Sequence, residues 1–233
     1  LFANFTGNEP GEAKNSNLAT LETLNCDYQL IDTEEKRTKI IQKLLTSKIL
    51  SLDTETTGTE PMDAELVGMS FSIAENEAFY VPIPADQEEA LKIVNEFRPV
   101  FENENSLKVG QNIKYDMIVL QNYGVQVKGP LFDTMIAHYV LQPELRHGMD
   151  YLAEIYLRYQ TIHIDELIGP KGKNQKNMRD LAPKDVYRYA CEDADVTLKL
   201  KNVLEKELKE NDAERLFYDI EMPLVPVLVN IER

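Results

Sequence analysis

The sequence predicts an α/β fold, a mixed sheet flanked by helices. Three observations predict it. Three short runs with strand character follow one another between residues 48 and 83. A helical period then separates them from a fourth short apolar run, Leu107-Lys-Val109, which a helical crossover makes parallel to the first. From there to the C-terminus helical periods dominate.

Composition narrows the class before any motif is read. With 233 residues, 43% hydrophobic and 28% charged, the chain suffices for one large soluble domain with appendages. No apolar run approaches the roughly 20 residues of a membrane span, and the start has no secretory pattern. Cys26 and Cys191 are too few for a disulfide framework, in keeping with a reducing cytoplasm. The three histidines, His138, His147 and His163, form no zinc motif. A net charge of −15 argues against broad, charge-driven binding to duplex nucleic acid. It leaves open local capture of a nucleic-acid end through metal ions and a few placed cations, or plain solubility. The chain lacks an initiator Met and stops at Arg233 inside a helical period, so a fragment of a longer protein is expected.

In chain order, residues 1–24 are polar, rich in Gly, Asn and Glu and without a period, so they read as a linker with little order. Tyr28–Ile31 suits a short edge strand, and Asp32 or Thr33 caps a helix to about Thr46 with Ile40, Leu44 and Leu45 on its apolar side. Lys48–Gly58 is a buried strand ending in two carboxylates. Asp53 and Glu55 project from the same strand face with Thr54 between them. They repel unless a cation lies between them; otherwise they are solvated or cap the next loop. Glu65–Ile73 alternates, with Val67, Met69, Phe71 and Ile73 on one face, and Ala78–Ile83 completes a meander through a hairpin. Asp86 opens the crossover helix, which Pro99 bends or restarts.

The helix over 112–122 has its apolar side at Ile113, Met117 and Leu120, and Asp116 falls on that side. Such an acid either binds a metal or pairs with a neighbour such as Lys114. Asn112 is a further donor to the same ligand. Pro130–Thr134 is a short strand leading into a helix to Leu141 that packs through Met135, Ile136, Tyr139 and Val140, and Met149–Leu157 is another helix. The basic loop between about 168 and 180 is either solvated or places Lys171, Lys173 and Lys176 near phosphates. The last long helix runs from Pro183 to about Glu210, with Val186, Tyr189, Val196, Leu200 and Val203 on its apolar side. Asp193 sits in that stripe with Tyr189 one turn before it. Glu192 and Asp195 read as surface charges, and Cys191 as a packing residue. Asp53, Glu55, Asp116 and Asp193 are all-oxygen ligands that suit Mg²⁺ or Mn²⁺. Four acids suffice for two ions about 4 Å apart, the arrangement for in-line attack on a phosphodiester.

Asp53-Thr-Glu55, Asn112-Ile-Lys-Tyr-Asp116 and Tyr189-x-x-x-Asp193 resemble the three motifs of the DEDD proofreading exonucleases with Tyr in the third motif. Val109-Gly-Gln-Asn112, Phe132-Asp-Thr-Met135, Arg146-His-x-Met-Asp150, Gly172-Lys-Asn-Gln175 and Ile220-Glu-Met-Pro-Leu-Val-Pro-Val227 extend the resemblance, over residues 48–233, to the 3′-to-5′ exonuclease domain of bacterial DNA polymerase I. The resemblance implies a ribonuclease H-like fold with a five-stranded sheet, three strands antiparallel and two parallel. It implies that Asp53, Glu55 and Asp193 hold the ion that activates water. Asp53 and an outer Asp116 hold a second beside the leaving 3′ oxygen, Tyr189 orients the water, and Glu55 also contacts the 3′-OH. Gln111, Asn112, Tyr115 and Arg146 match positions that line the single strand. Where the family places bulky apolar wedges, this chain has Thr59 and Ile164, with Met62 a substitute for the former. The implied partners are a single-stranded DNA 3′ end and a polymerase domain in cis, absent here. The implied setting is a monomer at the bacterial nucleoid in replication and repair. Residues 25–210 would be the exonuclease domain and 211–233 the helical start of the polymerase domain. A silent scaffold for the polymerase and a ribonuclease D-like exoribonuclease are the alternatives.

Overall fold

In the computed structural model, which describes residues 18–233, six strands form one mixed sheet. They are β1 Asp27–Leu30, β2 Ile49–Thr56, β3 Leu66–Ala74, β4 Glu77–Pro82, β5 Leu107–Gly110 and β6 Leu131–Asp133, in the spatial order β1-β4-β3-β2-β5-β6. The period-two runs pair as their hairpins dictate: β2 with β3 and β3 with β4 are antiparallel, and β5 and β6 join β2 in parallel. Asn76 takes the left-handed conformation (φ 65°) at the β3–β4 turn, a conformation Asn tolerates better than most residues.

The expected count of five strands is corrected to six. β1 runs parallel to β4, and the backbone N–H groups of Asp27 and Ile31 donate to Asn76 O and Tyr80 O at 2.8 Å each. It occupies what would otherwise be an open edge of β4. Residues 1–17 of the expected linker lie outside the described residues. The rest of that segment is ordered: Ala19 bridges to Tyr159, and a 3₁₀ turn over Leu21–Thr23 buries Leu21.

Helices cover both faces. They are α1 Glu34–Thr46, α2 Gln87–Glu96, α3 Arg98–Phe101, α4 Ile113–Asn122, α5 Thr134–Leu141, α6 Met149–Leu152, α7 Ile164–Ile168, α8 Pro183–Glu210, α9 Glu214–Leu216 and α10 Met222–Glu232. Thr33 and Asp86 cap α1 and α2 by accepting from the N–H of Lys36 and Glu89. On one face Phe71 stacks on Phe97 at 5.4 Å and meets Phe101 at 5.7 Å. The other face of β3 carries Gly68, Ser70 and Ser72, small residues over which α8 lies, and both serines are fully buried. A Cβ at Gly68 would come within 2.3 Å of the Tyr80 ring, so that approach requires glycine.

Three expectations about side chains change. Tyr139 is 55% exposed, and Ala137 and His138 are buried in its place. Glu192 and Asp195 are fully buried. Asp195 accepts from Tyr28 Oη (2.7 Å), Asn76 N (2.8 Å) and Lys199 Nζ (2.7 Å). Glu192 accepts from Tyr159 Oη (2.5 Å) and Ile162 N (2.7 Å). The small Ala190, Cys191 and Ala194 let neighbouring segments close around α8, so its buried surface is wider than one amphipathic stripe.

Candidate active site

β2 delivers Asp53 and Glu55 to the face that α8 covers. The sheet register pairs Asp53 with Ser70 and Glu55 with Gly68, and an irregularity after Glu55 ends the regular ladder there. The middle of α8 supplies Asp193. One carboxylate oxygen from each of the three acids lies within 4.8 Å of the other two. Glu55 Oε1 and Asp193 Oδ1 are buried without a hydrogen-bond partner. Burial pushes Asp53 up to about 6. Burial, reinforced by neighbouring carboxylates, holds Glu55 and Asp193 well above the usual carboxylate range. Orphaned buried oxygens on an all-carboxylate donor set fit a hard divalent cation such as Mg²⁺ or Mn²⁺, which removes the mutual repulsion and takes up the free lone pairs.

Asp116 stands apart from that trio. Thr54, between the two acids of β2, points to the opposite face, where its Oγ1 donates to Asp116 Oδ1 at 2.6 Å. Burial and the charge of Asp53 raise the Asp116 pKa, while the Thr54 bond lowers it. The alternative pairing with Lys114 is not formed: Lys114 Nζ reaches Glu232 Oε1 at 2.5 Å. Tyr189 is half-buried beside Asp193. Burial, with the charges of Asp193, Glu55 and Asp53, raises its phenol pKa, so the hydroxyl keeps its proton.

Glu55 also borders an open cleft of about 650 Å³. Thr56, Thr57, Gly58 and Thr59 line one side, Asn112 and Tyr115 the next, and Ile164, Ile168, Gln175, Lys176 and Asn177 the far side. Tyr115 Oη donates to Gly58 O at 2.5 Å and lies 2.6 Å from Thr56 Oγ1, tying α4 to that loop. Asn112 precedes α4 in the left-handed conformation (φ 60°). Thr59 and Ile164 both line the cleft and Met62 does not. Gln111 is occupied within the fold: its Nε2 donates to His147 O at 2.7 Å, and its Oε1 accepts from Thr134. Arg146 is exposed and lines a different cavity, beside Asp150, Glu154 and His163.

Two positioning residues escaped the sequence reading. Asp133 accepts from the N–H groups of Asn112 (3.3 Å), Ile113 (2.7 Å) and Ile136 (3.0 Å), so one carboxylate holds the starts of both α4 and α5. The Asp-Thr pair at a strand end was the available cap signal. Asn177 Nδ2 donates to Thr57 O at 2.6 Å across the cleft, a long-range tie with no local signal.

The family model for the 3′-5′ exonuclease matches residues 28–209. The chain belongs to the 3′-5′ exonuclease family. It is a hydrolytic nuclease of a divalent-metal-dependent family, and Asp53, Glu55 and Asp193 form a carboxylate group that could hold such an ion. DNA polymerase I of Borreliella burgdorferi is 34% identical to this exonuclease over 227 residues, covering 96% of this chain and 24% of that protein. The enzyme of the same description from Pseudomonas aeruginosa is 38% identical over 217 residues, covering 89% and 24%. The exonuclease thus spans about a quarter of the length of these relatives. Brucella melitensis NrnC with bound Mg²⁺ is 19% identical and superposes with a TM-score of 0.67 over 90% of this chain and 94% of that one, a likeness of fold. The fold is ribonuclease H-like, with β1 as its sixth strand.

Proposed function

We propose that this exonuclease removes 3′-terminal nucleotides from single-stranded DNA by two-metal hydrolysis of the phosphodiester. In this reading it is the proofreading part of a longer DNA polymerase, with the polymerase domain in the same chain, working as a monomer in the bacterial cytoplasm. The observation that carries the reading is that Glu55 belongs both to the three-acid group within 4.8 Å and to the lining of the open cleft. The reacting phosphate therefore has a place where cleft and carboxylates meet.

In that reading Asp53, Glu55 and Asp193 would hold one ion, and Asp116, whose charge also raises the Glu55 carboxyl, would hold a second together with Asp53. Bound divalent cations lower the pKa of the attacking water and offset the charge that develops on the phosphoryl oxygens. Tyr189, kept protonated by burial and its acidic neighbours, orients the water through its hydroxyl and does not act as a base. Glu55 meets the terminal 3′-OH. Asn112, Tyr115 and Thr59, with Ile164 opposite, seat the terminal nucleotides in the cleft. Gln111 acts by holding the segment before α4, and Arg146 would meet the strand only beyond the cleft.

The test is digestion of a 5′-labelled single-stranded oligodeoxynucleotide with Mg²⁺ or Mn²⁺. The expected result is a ladder shortening from the 3′ end, lost with chelator and in Asp193→Ala. Absence of a ladder in either metal would overturn the activity and leave a scaffold. A strong preference for a 3′-ribonucleotide end would move the substrate to RNA, because only a contact to the 2′-OH separates the two.

A further inference from the structure

The basic loop offers three lysines, and the structure separates them. All three are exposed; Lys171 and Lys173 lie outside the cleft lining, whereas Lys176 is the single basic residue among those that line it. Its position is built. The Lys176 backbone N–H donates to Ile168 O at 2.8 Å, and Gln175 Nε2 donates to Gly169 O at 3.1 Å, closing the loop on the end of α7. Immediately after Lys176, Asn177 Nδ2 reaches Thr57 O at 2.6 Å, and Arg179 donates to Leu66 O at 2.6 Å and to Ile83 O at 2.5 Å. The segment carrying Lys176 is thereby stapled to the tip of the sheet on one side and to α7 on the other. Among the described residues no carboxylate pairs with the Lys176 ammonium, although acids outnumber bases 40 to 25 in the sequence.

A phosphodiester strand approaching this protein meets a net charge of −15 and, at the end of the cleft, a group of buried acids. Cations bound by the acids offset charge only at the scissile phosphate. The phosphates further along the cleft need a separate, unpaired positive charge, and a lysine supplies it as a point charge that tolerates any base sequence. We propose that Lys176 is a strand-binding residue of this exonuclease, its ammonium pairing with one backbone phosphate of the single strand in the cleft, a contact that Lys171 and Lys173 do not make. The inference rests on the reading of the cleft as the path of the strand.

The experiment compares Lys176→Gln, Lys176→Arg, Lys171→Gln and Lys173→Gln as the salt concentration is varied. Anisotropy of a labelled oligodeoxynucleotide, with Ca²⁺ as the added ion, gives the binding constant, and digestion with Mg²⁺ gives kcat and KM. Loss of one single-strand phosphate contact lowers the slope of log K against log salt by about 0.7. That decrease is expected in Lys176→Gln alone, with KM raised about three- to tenfold at low salt, kcat unchanged and the wild-type slope retained in Lys176→Arg. Equal slopes in wild type and Lys176→Gln, or equal decreases in all three glutamine variants, overturn the assignment while the nuclease itself stands. Failure of the wild-type protein to bind the oligodeoxynucleotide removes the strand-binding reading, and this inference with it.

Discussion

At the residue scale, the carboxylate trio couples stability to pH and to metal. Asp53 is held at about 6 in the folded protein, against about 3.9 in an unfolded chain, and Glu55 and Asp193 are raised as well. Between those limits the folded protein keeps protons that the unfolded chain has released. The stability these groups contribute is therefore complete below about pH 4 and is lost as pH rises through their folded values. In chelator, Tm is expected to fall from about pH 5 to about pH 8 through these groups, and Asp193→Asn to flatten the fall and raise Tm at the alkaline end. Mg²⁺ or Mn²⁺ is expected to raise Tm more at about pH 8 than at about pH 5; an increment independent of pH would contradict the trio as the metal centre. Thr54 makes a separate prediction, because Thr54→Val removes the 2.6 Å donor to buried Asp116 and leaves the shape unchanged. Urea denaturation is expected to show a loss of about 1–3 kcal/mol for Thr54→Val and a smaller one for Thr54→Ser.

At the scale of elements, the site depends on how two helices are started and how one is enclosed. Asp133 at the end of β6 accepts three N–H groups from the starts of α4 and α5, and α4 carries Asn112, Tyr115 and Asp116. Asp133→Ala is expected to cost about 2 kcal/mol or more and to lower activity as well, whereas a surface cap loss would move stability alone; unfolding and turnover measured on one preparation separate the two. The α8 helix shows where one-dimensional reading stops. Its period correctly placed Tyr189 and Asp193 inward but assigned Glu192 and Asp195 to solvent, since it assumes one buried stripe. β1, the β3–β4 turn and the segment around Tyr159 close over the second side of the helix, and both acids are satisfied by Tyr28, Tyr159, Lys199 and backbone N–H groups.

At the scale of the whole molecule, residues 211–233 lay Phe217, Met222, Val225 and Val229 into the same core as the sheet, with the Phe217 ring tilted against Phe132 of β6 at 4.8 Å. Phe217→Ala is expected to cost about 3–5 kcal/mol and to lower the unfolding midpoint of the entire domain in a single transition; a separate early transition would mark the C-terminal helices as independent. Among the described residues no helix is long and apolar enough to cross a membrane. Much of the architecture was already legible in one dimension, because strand period, turn residues and helix caps are local signals: the β2–β4 meander, the parallel β5, and the common face of Asp53 and Glu55 all derive from them. Packing between distant segments settled the rest. It joined Asp193 to Asp53 and Glu55 and put Asp116 across β2 behind Thr54. It turned Gln111 and Arg146 away from the cleft and brought one lysine of three into it. No period or motif encodes such placements, since each depends on the distance between residues far apart in the chain, which exists only once the sheet and α8 have closed on one another.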